Sequence, residues 1–163
     1  MSEPMTPDHA RAARKAYDAL SPGEKAQLRR CRAANEVLLE GAFWRVVSGL
    51  PAAIRPRMSH IVACFPTAGQ RRRTDGFASG TFLRRALYAK KEPLKPSDTT
   101  RFRQLIEADD RDELVHRLRR ALAQAQRPVD WGVLGADIYY WGDGVRRRWA
   151  QDFYAPGKEE DHA

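Results

Sequence analysis

Four histidines, two cysteines and one run of carboxylates are the side chains that could do bond-making chemistry in this chain. His60 and Cys64 stand four residues apart, the spacing that brings two donors onto one helix face and supplies half of a tetrahedral zinc site. No second pair at ligand spacing completes it, so the two read as core. Asp109, Asp110, Asp112 and Glu113 could hold Mg²⁺ in a metal-dependent nuclease. They also stand where the positive end of a helix dipole favours negative charge, and position accounts for them. Asp8-His9 is a fragment of a metal-dependent phosphohydrolase motif without its other ligands. There is no P-loop, no dinucleotide-binding glycine pattern and no serine on a nucleophile elbow. The sequence therefore predicts no enzyme activity, no metal and no cofactor.

Phosphate recognition is the chemistry that remains. The chain carries 29 basic and 21 acidic residues, a net charge of +8, and only six of the basic residues are lysine. Arginine presents a flat, weakly hydrated fork that pairs bidentately with phosphate, so this excess points to a polyanionic partner, nucleic acid before others. The clusters are Arg29-Arg30-Arg32, Arg71–Arg73, Arg84-Arg85, Arg101/Arg103, Arg117/Arg119/Arg120 and Arg146–Arg148. A solvated helix face would explain any one of them; six along one chain call for a partner. In neighbouring pairs such as Arg119-Arg120, one member lies along the core boundary while the other faces solvent. Tyr139, Tyr140, Trp141 and Trp149 could stack on bases, but their helical spacing places them in a core.

The elements that must position these residues are helices, and the predicted class is all-α. Ala13, Ala16, Tyr17 and Leu20 recur at helical spacing, and Ser21-Pro22-Gly23-Glu24 writes a capping box with proline at the first helical position. Further helices are expected over 35–48, 52–65, 81–90, 97–108, 110–126, 130–141 and 144–154. Residues 66–80 break the pattern with a proline, three glycines and three consecutive arginines. The expected organisation is two small helical bundles joined by a basic Gly-rich loop: an N-terminal bundle over 8–66, the loop over 67–80, a C-terminal bundle over 81–154 and a disordered tail over 155–163. At 163 residues the chain is long enough to fold without a disulfide or metal, and two cysteines exclude a disulfide scaffold. No apolar run approaches the ~20 residues that span a bilayer, and the N-terminus lacks a signal-peptide core, so the expected location is cytoplasmic, with no membrane partner.

In their order and spacing several stretches resemble one family. They are Ala26-Gln27-Leu28-Arg29-Arg30, Ile61–Phe65 with Ala68-Gly69, Leu83-Arg84-Arg85-Ala86-Leu87, and Arg101-Phe102-Arg103-Gln104-Leu105-Ile106 leading through Leu118-Arg119-Arg120 to Val129-Asp130-Trp131. Tyr140-Trp141-Gly142 and Trp149…Asp152-Phe153 close the chain in the same way. Over roughly residues 13–154 the chain resembles the small subunit of type I-E CRISPR Cascade surveillance complexes, the CasB family.

The resemblance implies an all-α, non-catalytic subunit with two helical bundles. Its partners would be the backbone and large subunits of the complex, a second copy of itself, CRISPR RNA, and the target and displaced DNA strands. It would stabilise the R-loop through contacts insensitive to sequence and sensitive to salt. Arg29 and Arg30 match the family's paired arginines and lead the candidates for phosphate contact. Arg101, Arg119, Arg120 and Arg146 fall on basic family positions, and Arg85 matches the basic residue before Ala-Leu. Asp143 stands where relatives carry a basic residue, with Arg146, Arg147 and Arg148 following one turn on. Asp130 and Trp131 read as a cap and a core anchor. The rival from another class is a free-standing helical DNA-binding regulator with its recognition helix near 110–126.

Overall fold

The computed structural model describes residues 4–67, 96–124 and 129–155. Over these residues the helices are α1 (Pro7–Asp18), α2 (Pro22–Arg30), α3 (Ala34–Val37), α4 (Gly41–Val46), α5 (Ser59–Cys64), α6 (Pro96–Ile106), α7 (Arg111–Gln124), α8 (Trp131–Tyr139) and α9 (Asp143–Tyr154), with 3₁₀ turns at Pro56–Met58 and Phe65–Thr67. Apart from one bridge residue at Val129, the regular structure of the described residues is helical, so the class is all-α. No described helix is long and apolar enough to cross a membrane.

Three of the longer helices, α2, α7 and α8, begin on a side chain that satisfies one of their free N–H groups. The Ser21 hydroxyl accepts from Glu24 N at 3.2 Å while the Glu24 carboxylate accepts from Ser21 N at 3.3 Å, which is the capping box read from the sequence. At α1 the third-position residue is a histidine, and Thr6 N donates to His9 Nδ1 at 3.1 Å. Asp110 Oδ1 accepts from Glu113 N at 2.8 Å before α7, and Asp130 Oδ1 accepts from Gly132 N at 2.9 Å before α8.

Two expected helices are broken. The apolar periodicity over 35–48 runs on through Leu38 and Leu39, but the chain turns there. Leu39 N and Glu40 N bond three residues back, to Glu36 and Val37, and Leu39 is left 85% exposed. The segment expected as a helix over 52–65 is α-helical only from Ser59. Pro56 lacks the N–H that a longer helix would need, and Arg55 holds the preceding turn by donating to the carbonyls of Leu50 (2.8 Å) and Ser48 (3.1 Å).

One hydrophobic cluster gathers buried residues from both sides of 68–95, among them Phe43, Met58, Ile61, Phe65, Phe102, Leu118, Trp149 and Phe153. The expected loop over 67–80 and the expected helix over 81–90 fall almost wholly outside the described residues, as do Arg71–Arg73 and Arg84-Arg85 and most of the expected tail. The α1 and α8 axes approach closely because α8 offers glycine: a Cβ on Gly135 would stand 2.6 Å from the Cβ of Ala10. Where α1, α8 and the end of α5 meet, the buried guanidinium of Arg14 lies 5.0–5.5 Å from the rings of Tyr17, Phe65 and Trp131 and donates to Phe65 O at 3.0 Å and Asp18 at 3.1 Å. Trp131 is thus the anchor it was read to be. Burial pushes the Cys64 thiol up to about 12, and both Cys31 and Cys64 are free and buried.

Candidate nucleic-acid interface

The fold divides the arginines into two groups, those that hold the frame and those that face outward. Arg11 pairs with Asp8 at 2.9 Å and reaches Asp130 at 3.4 Å. Arg45 pairs with Glu24 at 2.8 Å. Arg111 donates to Tyr139 O twice, at 2.8 and 3.0 Å. Arg148 pairs with the buried carboxylate of Asp137, which also accepts from Trp149 Nε1 at 2.8 Å. Arg103 pairs with Glu107 along α6 at 3.2 Å. Apart from Arg103, whose pair runs along one helix, these guanidinium groups stitch helices together.

Arg119 and Arg146, both on basic positions of the resemblance, belong largely to this first group. Arg119 Nη1 crosses from α7 to the end of α2 and donates to Cys31 O at 2.8 Å and Arg32 O at 3.0 Å. Arg146 donates to Ala108 O, lies over the Trp141 ring at 5.5 Å, and pairs with Asp143 at 3.6 Å. The Asp143 departure therefore has a structural use, because it holds Arg146 from one turn away.

Arg29, Arg30, Arg101, Arg120 and Arg147 are exposed, with no hydrogen-bond or ion-pair partner among the described residues. Arg29 and Arg30 end α2, where their charge also suits the negative end of the helix dipole. Arg119 ties the chain just beyond that end to α7. In the Arg119-Arg120 pair the inner member is half-buried and the outer one exposed, the division read from the sequence. Arg85 lies outside the described residues.

The second basic surface is a cleft of about 520 Å³ between α6 and α7. These two helices form a hairpin closed by Glu107–Asp110. Arg101, Arg117 and Arg120 supply its charge, His116, Gln104 and Gln124 its other polar groups, and Leu105 with Ala121 an apolar floor. Arg117 is fixed there by Gln104 O and Glu113. Sequence reading singled out Arg101 and Arg120 but not His116, Gln104 or Gln124. The four-residue spacing of His116, Arg120 and Gln124 along α7 is the signal that marks their shared face.

The residues that suggested metal chemistry are otherwise occupied. His60 Nε2 bonds Asp112 Oδ1 at 3.0 Å, joining α5 to α7, while Cys64 is fully buried. Asp110 caps α7, and Glu113 accepts from Asp109 N at 3.1 Å. Among the described residues no three His, Cys, Asp or Glu side chains converge on a metal-sized space. Of the aromatics, Tyr139, Trp141 and Trp149 are buried, and Tyr140 is 48% exposed with its hydroxyl donating to Met5 O at 2.9 Å.

Residues 24–154 match the model of the CRISPR-associated protein Cse2 family. The chain belongs to this family. The Cse2-family match takes in α2 through α9 and so both basic surfaces. CRISPR-associated protein Cse2 of Thermus thermophilus is 36% identical over 85 residues, 50% of this chain and 49% of that protein. The chain thus spans about half the length of that curated relative. A chain of the crystal structure of E. coli Cascade bound to a PAM-containing double-stranded DNA target superposes with a TM-score of 0.69 at 24% identity, over 92% of this chain and 97% of that one. CasB from Thermobifida fusca superposes with a TM-score of 0.62 at 23% identity, over 91% and 95%. At these identities the two structures speak to the fold, and the fold is that of Cse2-family chains.

Proposed function

We propose that this Cse2-family chain is the non-catalytic small subunit of a type I-E Cascade surveillance complex, stabilising the CRISPR RNA–target DNA R-loop and holding the displaced strand. The observation that carries the reading is the set of outward guanidinium groups at Arg29, Arg30, Arg101, Arg120 and Arg147, left without partners among the described residues. Exposed arginines that hold no ion pair among the described residues are poised for phosphate. Arg119 and Arg146 contribute by position, holding the α2 terminus and α9 in register. Arg85 joins the set on the resemblance. The partners are the backbone and large subunits, a second copy of the chain, CRISPR RNA, and both DNA strands.

The physical role follows from the energetics of strand exchange. The heteroduplex formed is about as stable as the DNA duplex it replaces, so a few backbone contacts tip the balance. Such contacts read charge rather than sequence.

The test is a reconstituted complex carrying Arg29→Glu with Arg30→Glu. Folding of the subunit is retained, R-loops dissociate faster, and the log–log salt dependence of target binding becomes shallower by about 1.4 on single strands or about 1.8 on duplex for two lost contacts. Target binding unchanged at every salt concentration removes these residues from the interface.

A further inference from the structure

We propose that the α6/α7 cleft is a single-nucleotide subsite, taking one unstacked nucleotide of a bound single strand with its phosphate on Arg101 and Arg120 and its base against Leu105 and Ala121. The proposal rests on the nucleic-acid reading above and adds base contact to it. Three features of the cleft carry it. Its size, about 520 Å³, falls within the roughly 300–1,000 Å³ of small-ligand sites and exceeds what a phosphate needs. Its charge is positive or neutral: among the described residues none that lines it is acidic, and Arg101 and Arg120 have no partner.

The third feature is its apolar floor. A groove that merely tracks a backbone requires cations in a row, whereas Leu105 and Ala121 offer an apolar surface between cations, suited to the face of a base. The wall is rigid, because Arg117 is held by Gln104 O and Glu113. The side-chain amides of Gln104 and Gln124 carry both donor and acceptor, so either can serve the edge of any base. The subsite is therefore tolerant of sequence, prefers single strands to duplex, and fixes the register of the strand that enters it.

The experiment compares two probes with the full chain by fluorescence anisotropy: an oligothymidylate and an abasic oligomer of equal length and charge. The wild-type chain binds the oligothymidylate about fivefold more tightly, the lower end of measured base-stacking contacts. Ala121→Met fills the floor and brings the oligothymidylate down to the abasic affinity. Arg120→Gln weakens both probes by the same factor. Equal affinity of the wild-type chain for the two probes overturns the subsite while leaving the phosphate contacts intact. A difference that survives Ala121→Met overturns it as well. Failure of both probes to bind at low salt overturns the subsite together with the nucleic-acid reading beneath it.

Discussion

The adjacent residues Arg119 and Arg120 separate the structural use of arginine from its proposed use in binding. Arg119 Nη1 supplies hydrogen bonds to Cys31 O (2.8 Å) and Arg32 O (3.0 Å), which lie 88 and 87 residues away in sequence. Hydrogen bonds that involve a charged group contribute about 1.5–3 kcal/mol each when buried, and this half-buried, shared donor merits about 2 kcal/mol in all. Arg119→Ala also leaves the carbonyl of the buried Cys31 without that donor. For a chain of this size about 2 kcal/mol lowers Tm by roughly 4–8 °C. Arg120 is exposed, and Arg120→Ala changes stability by no more than about 0.5 kcal/mol. If Arg120 touches phosphate, its loss instead makes the salt slope of single-strand binding shallower by about 0.7. Scanning calorimetry and salt-titrated anisotropy on the two variants read both quantities. The reasoning is refuted if Arg120→Ala melts as early as Arg119→Ala, or if Arg119→Ala melts with the wild type.

Further outcomes follow from particular contacts. Gly135→Ala sets a Cβ 2.6 Å from that of Ala10 with no rotatable bond to relieve it. Overpacking of about 1–3 kcal/mol outweighs the ~1 kcal/mol gain in helix propensity, so urea melts shift to lower midpoints. Gly132→Ala meets only the end of the flexible Arg11 side chain, which must give up its contact with Asp130 to move away, so the loss is about 1 kcal/mol or less and smaller than for Gly135→Ala. Asp137→Ala strands Trp149 Nε1 in the core and removes the partner of Arg148, at a cost of about 2–4 kcal/mol by denaturant titration. At pH 8 a thiol reagent leaves Cys64 unmodified in the native chain, since burial holds its thiol near 12, and Cys31, also raised by burial, reacts slowly. Both titrate on unfolding, and rapid native labelling of Cys64 contradicts that burial.

Local signals were legible and distant ones were not. Ser21-Pro22-Gly23-Glu24 and Asp130-Trp131 announce α2 and α8 because a cap is a contact between residues two or three apart. The α7 helix was also visible, since Leu114, Leu118 and Leu122 keep a helical period and are buried. The break at Leu38–Glu40 was hidden, because apolar spacing continues through it and tertiary packing decides where the chain turns, whereas the one before Ser59 is written in the sequence as Pro56. The site divides along the same line. Basic clusters were visible as clusters, but which guanidinium turns inward depends on carbonyls far along the chain, as with Arg119 and Cys31 or Arg146 and Ala108. The α6/α7 cleft needed the hairpin to be seen, because Arg101 and Gln104 reach one cavity with Arg117 and Arg120 only once the helices pair.

The most direct test of the central claim is a tagged purification from the native cell, with bound RNA sequenced and co-purifying proteins identified. The account predicts repeat-derived RNAs of uniform length together with several other Cascade subunits. A chain that purifies alone, or with scattered genomic DNA, contradicts it.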